Sequence, residues 1–154
     1  MSHPNKLTFT GVLSFVDRPS DKSPHNARGH RIRMTRKTAE LALPSLIGMG
    51  VNCKEGFDGH DVQRKIGVIE EAVLCDDAIM VAGYLFVHDF ESHIASIKAC
   101  AETGDMGMSY ELADAHVHDM NADIWELDRV TFTGAAILYA HKAAYKGTSI
   151  QIAK

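Results

Sequence analysis

"KIGVIEEAVLCDDAIMVAGYLF", Lys65 to Phe86, decides the fold class. It reads as two strands, about Ile66 to Cys75 and Ala78 to Phe86, with Asp76 and Asp77 making a hairpin between them. A hairpin commits the sheet to at least one antiparallel pair. Upstream, "KLTFTGVLSFV" (Lys6 to Val16) alternates, with Leu7, Phe9, Gly11, Leu13 and Phe15 on one side, which is strand periodicity. Downstream, "MGMSYELAD" reads as another strand, and Arg129 to Tyr139 is the best part of one or two more. "RIRMT" and "GVNCK" are short strands.

Helical spacing is confined to a few places. "DFESHIASIKACAETG" (Asp89 to Gly104) has Ile94, Ile97 and Ala101 on one face and a glycine stop, so an amphipathic helix is expected over Asp89 to Thr103. "TAELALPSLIGMG" (Thr38 to Gly50) is helical with Thr38 as its cap, and Pro44 shortens or kinks it. A short helix is expected over His141 to Tyr145. The stretches Asp17 to His30 and Glu55 to Gln63 are rich in turn residues and read as loops. Strands therefore dominate, without the regular alternation of strand and helix that builds a parallel sheet. The expected class is mainly β with helices (α+β): an antiparallel sheet, closed into a barrel, with helices outside. No internal repeat or linker divides the 154 residues, so one domain is expected.

Composition narrows the function classes. The chain is 45% hydrophobic and 23% charged, with a formal net charge of -4. A weakly acidic chain is a poor nonspecific nucleic-acid binder, which needs clustered Lys and Arg. The basic run "RGHRIRMTRK" (Arg28 to Lys37) is a solvated face or a local surface for an acidic partner. Cys53, Cys75 and Cys100 form no C-x-x-C pair and are odd in number, against a disulfide framework and for a reducing compartment. No apolar run approaches the roughly 20 residues that span a bilayer.

Few side chains suggest chemistry. His116 and His118, in "HVH", share a side of a strand, but no third ligand lies at a typical spacing, so no metal is expected. "GMGVNCKEG" lacks the spacing and Lys-Ser/Thr pair of a phosphate loop. His60, in "DGHD", sits between carboxylates and ahead of a buried strand, where an oriented imidazole can serve as a general base. Ser109, in "GDMGMSYE", opens a strand behind a glycine-bearing turn. A serine needs such a base to become nucleophilic, and chain order does not restrict the pairing.

Three blocks, in order, resemble the prohead proteases of tailed bacteriophages, capsid-maturation serine proteases that share a fold with herpesvirus assemblin. They are "GHDVQRKIGVIEEAVLCDDAIMVAGYLF", "GDMGMSYEL" and "LDRVTFTGAAIL". The resemblance runs from about Leu7 to Tyr145. It implies an antiparallel β-barrel wrapped by helices, with His60 as base and Ser109 as nucleophile. At the third catalytic position this chain departs from the family, and the nearest equivalent is Thr133. A threonine orients an imidazole without lending it charge, so a Ser-His dyad, or a carboxylate from Asp61, Glu111 or Asp128, remains open. The backbone around His141 and Lys142 is the expected source of oxyanion donors.

The resemblance further implies an endopeptidase acting in the host cytoplasm, inside the assembling procapsid. Its partners would be the capsid scaffold, the major capsid protein and itself, by autoproteolysis. A homo-oligomer is among the expected assemblies; no cofactor, nucleic acid or membrane is. The chain would be a single protease domain, 1–154, or the N-terminal part of a protease-scaffold precursor. The alternative is a non-catalytic capsid-assembly or scaffold-associated protein on the same fold.

Overall fold

The computed structural model describes residues 3–154. In chain order the strands are β1 (Lys6–Phe15), β2 (Arg31–Met34), β3 (Gly50–Cys53), β4 (Lys65–Cys75), β5 (Ala78–Phe86), β6 (Met106–Val117), β7 (Ile124–Tyr139) and β8 (Ser149–Ile152). The helices are α1 (Arg36–Ala42), between β2 and β3, and α2 (Glu91–Glu102), between β5 and β6.

The β4–β5 hairpin forms where the sequence places it. Cys75 pairs with Ala78, and the two-residue turn puts Asp76 at a φ of 54°, a left-handed conformation that Asp tolerates. β1 extends the hairpin antiparallel to β5, and β8 lies on the far side of β1. Ile66, Ile69, Ile79 and Leu85 from the hairpin, with Leu13, Met106, Met108 and Phe132, are fully buried in one core.

β7 organises the other half of the sheet. β6 runs antiparallel along one edge; β2 and β3 share the opposite edge, both parallel to β7. The expected antiparallel closed barrel is therefore corrected to an open, curled, mixed sheet. Its order is β2-β7-β3-β4-β5-β1-β8, with β6 on β7. Closure would need β6 to pair with β8 or β1. At Met108 the outward N–H is taken instead by the Thr148 hydroxyl, at 3.2 Å, and no ladder forms.

Local chemistry moves the helix boundaries. Thr35, not Thr38, caps α1, accepting from Thr38 N at 3.2 Å. Pro44 falls in a 3-10 turn (Leu43–Leu46) where α1 has ended. α2 buries Ile94 and Ile97, and Gly104 follows it at a φ of 77°. The helix expected over His141 to Tyr145 is only a 3-10 turn, Ala140–Lys142. α1 packs on β7, and α2 lies against β6 and β8. No helix among the described residues is long and apolar enough to cross a membrane.

Candidate active site

Ser109 and Glu111 stand two residues apart on β6, so their side chains leave the same face of the sheet, opposite the core-facing Met108, Tyr110 and Leu112. The register fixes what lies beside them. Ser109 pairs with Ala136, and Glu111 pairs with Gly134. A Cβ at Gly134 would sit 2.5 Å from Glu111 Oε1 and 3.0 Å from the Gly50 carbonyl oxygen. The missing side chain is the space into which the glutamate folds down.

That position makes Glu111 a held carboxylate. Its side chain is 12% exposed. Oε2 accepts from Asn52 Nδ2 at 2.6 Å and lies 2.8 Å from His60 Nδ1. Burial alone would raise its pKa, but the bonds from His60 and Asn52, with the Lys65 charge, outweigh burial and hold the carboxyl below its ordinary value. An ionised carboxylate only accepts, so Nδ1 must be the donor. In a neutral ring that leaves Nε2 as the basic nitrogen.

His60 reaches Glu111 from the connection between β3 and β4. This segment is pinned at several points. Gly56 and Phe57 both have positive φ, 80° and 52°, and Phe57 turns inward to meet the Tyr139 ring edge-on at 5.9 Å. Glu55 accepts from Arg64 and from His93 of α2, each at 3.1 Å. The backbone N–H of Asp61, next to His60, donates to Asn52 Oδ1 at 3.0 Å. The imidazole, 32% exposed, is thus delivered by an anchored loop.

The other expected residues fall as follows. Ser109 Oγ has no hydrogen-bond partner among the described residues, so the Ser-His hydrogen bond is not formed here; in free enzymes such bonds commonly tighten only when substrate is present. Thr133 does not hold the far ring nitrogen of His60. The register slips between Glu111 and Leu112, which pair with Gly134 and Phe132, so Thr133 is the bulged residue and is exposed. Of the three carboxylates left open, Glu111 meets His60. Asp61 accepts from Gln63 N in its own turn, and Asp128 lies 2.6 Å from His116 and 3.6 Å from His118. That exposed trio supplies a third neighbour for the two histidines, but no group of His, Cys, Asp or Glu among the described residues has metal-binding geometry.

His141 and Lys142 lie in the turn after β7, with exposed side chains. The His141 ring stacks on Tyr139, and its carbonyl accepts from Lys22 Nζ. The turn folds over Gly107, where a Cβ would lie 2.6 Å from Thr148 Oγ1 and 3.1 Å from Ala140 Cα. Gly107 is the residue before Ser109 on that face, about 6–7 Å along the strand. Ser109 also borders a small, mainly apolar cleft with Leu13, Pro24, Ile32 and Ala144. Asn52 is the site residue that sequence reasoning passed over; an amide inside the apolar "GVNCK" strand was its signal.

The likeness to known proteins is one of fold. No protein-family model matches the sequence, and no curated protein matches it. Among solved structures the chain resembles the KSHV protease, in complex with a hexapeptide phosphonate inhibitor, with a TM-score of 0.55 and 13% identity. It also resembles the varicella-zoster virus protease, with a TM-score of 0.51 and 13% identity. Each alignment covers 96% of this chain, and 65% and 64% of those chains, so the chain spans just under two thirds of their length. The fold is assemblin-like.

Proposed function

We propose that the protein is a serine endopeptidase in which Ser109 is the nucleophile, His60 the general base and Glu111 the group that orients and charges the base. The observation that carries this reading is the 2.8 Å contact of His60 Nδ1 with a partly buried, ionised Glu111 on the strand face that also bears Ser109. In the reaction His60 Nε2 takes the Ser109 proton as Oγ attacks the scissile carbonyl. The carbonyl oxygen becomes an oxyanion beside the His141–Lys142 turn. The proton then passes to the departing amine, and water hydrolyses the acyl-enzyme by the same route. Glu111 stabilises the imidazolium in both steps.

The substrate assignment follows the sequence blocks and the two viral proteases that share the fold. The protein cleaves scaffold and capsid-protein segments, its own precursor included, within the procapsid of a tailed bacteriophage in the host cytoplasm. Against a non-catalytic capsid protein on the same fold stands Glu111, a partly buried carboxylate bonded to His60. The test is cleavage of a peptide library and of the chain itself, with products sequenced. Ser109→Ala and His60→Ala should each lose about 10³-fold or more in rate while staying folded. Cleavage by Ser109→Ala at the wild-type rate would end the serine-protease reading, and no cleavage by the wild type would favour the non-catalytic one.

A further inference from the structure

Asn52 is fully buried on β3, and both halves of its amide are committed to the site. Nδ2 donates to Glu111 Oε2 at 2.6 Å, and Oδ1 accepts from the Asp61 N–H at 3.0 Å. One bond ends on the carboxylate that holds His60; the other ends on the backbone one residue past His60. We infer that Asn52 is the positioning residue of the site, a strut that sets the His60 ring against Glu111 by gripping both the acid and the loop that carries the base.

The sheet register explains why an amide at this position can do so. Ala136 on β7 is the partner of Asn52 on one side and of Ser109 on the other. Asn52 and Ser109 therefore stand at one level, two strand spacings or about 9–10 Å apart. The small Ala136 and Gly134 side positions leave a trough between them. Glu111 enters it from β6, Asn52 from β3, and His60 from the connection above. β3 and β6 share no ladder, so this side-chain bond ties them directly on the site face.

The bond also restricts the carboxylate. Asn52 takes one acceptor direction of Oε2, so the His60 N–H must approach along what remains. A buried polar group left without its partner is destabilising, so a filler of the core would be apolar here. The amide is retained where both its partners belong to the site.

This inference rests on the proposed Ser109–His60–Glu111 reading, and its test separates the two. Asn52→Asp is isosteric and keeps the acceptor for Asp61 N–H, but it replaces the donor with a second carboxylate facing Glu111. Asn52→Ser is too short to reach either partner and serves as the second variant if the first fails to fold. Both are checked by circular dichroism and thermal melting. Displacement of an oriented base lowers turnover, so kcat should fall by about 10- to 100-fold with KM within about two-fold. The His60 ring nitrogens, followed by NMR, should show one tautomer in the wild type, with the proton on Nδ1, and averaging of the two in the variants. A folded Asn52 variant that keeps one tautomer, or keeps wild-type kcat, overturns the inference. If Ser109→Ala proves as active as wild type, the protease reading falls, while the tautomer measurement still decides what Asn52 does.

Discussion

Replacing Glu111 by Gln removes the charge at His60 while leaving an oxygen to accept from Nδ1. The 2.8 Å separation sets the scale. Between effective dielectric constants of about 20 and 80, a full charge pair at that distance is worth about 1.5–6 kcal/mol. Solvent reaches the imidazole, which is 32% exposed, so the lower half applies. A loss of about 2–3 kcal/mol of imidazolium stabilisation corresponds to about 30- to 150-fold in kcat/KM. The assay is steady-state cleavage of a peptide drawn from the mapped products, with Thr133→Val measured beside it. Thr133 is exposed and makes no bond to His60, so Thr133→Val should stay within about two-fold of wild type, below about 0.4 kcal/mol. A folded Glu111→Gln enzyme as active as wild type, or a Thr133→Val loss of equal size, would refute the reasoning.

Gly134→Ala drives a Cβ to 2.5 Å from Glu111 Oε1, so it should displace the carboxylate, lower activity as Glu111→Gln does and cost about 1–3 kcal/mol of stability, read from urea unfolding. Glu111 also carries a pH signature: its carboxyl is held below its ordinary value, so its contribution to stability is present above the unfolded-state pKa and lost as pH falls through the folded one. The stability gap between wild type and Glu111→Gln should therefore narrow as pH falls below the unfolded-state carboxylate value of about 4.3, and a constant gap would argue against the hydrogen-bonded, ionised form. Among the cysteines, burial pushes the Cys53 thiol up to about 11, with Arg64 only partly opposing it, whereas Cys75 is exposed. Iodoacetamide on the native protein should label Cys75 and spare Cys53; rapid labelling of Cys53 would contradict its packing.

Short-range features were legible in the sequence. The Lys65–Phe86 hairpin, the alternation of β1 and the amphipathic α2 each depend on neighbours within a few residues, and the structure keeps all three. The parallel pairings of β2 and β3 with β7 were not legible, because they join residues 80 or more positions apart and no local pattern marks them. β8, four residues long like β2 and β3, was not expected from the sequence; its strand rests on pairing with β1, more than 130 positions away. At the site, Ser109 and His60 stood out as residue types in suggestive turns. The third partner did not, since a one-residue bulge in β7 decides that Thr133 faces solvent and Gly134 lies beneath Glu111. The spacing Ser109-x-Glu111 already placed both groups on one strand face. Asn52 was hidden for a different reason: its worth lies in two bonds to segments 9 and 59 residues away.

The most direct measurement is covalent trapping by a peptidyl phosphonate, which reacts with an activated serine. Intact-mass analysis and peptide mapping should find one adduct per chain, on Ser109. Labelling should be abolished in Ser109→Ala and slowed in His60→Ala and Glu111→Gln in the order of their losses in kcat/KM. An adduct on another serine, or a Ser109 that stays unlabelled in a preparation that cleaves peptides, would contradict its assignment as the nucleophile.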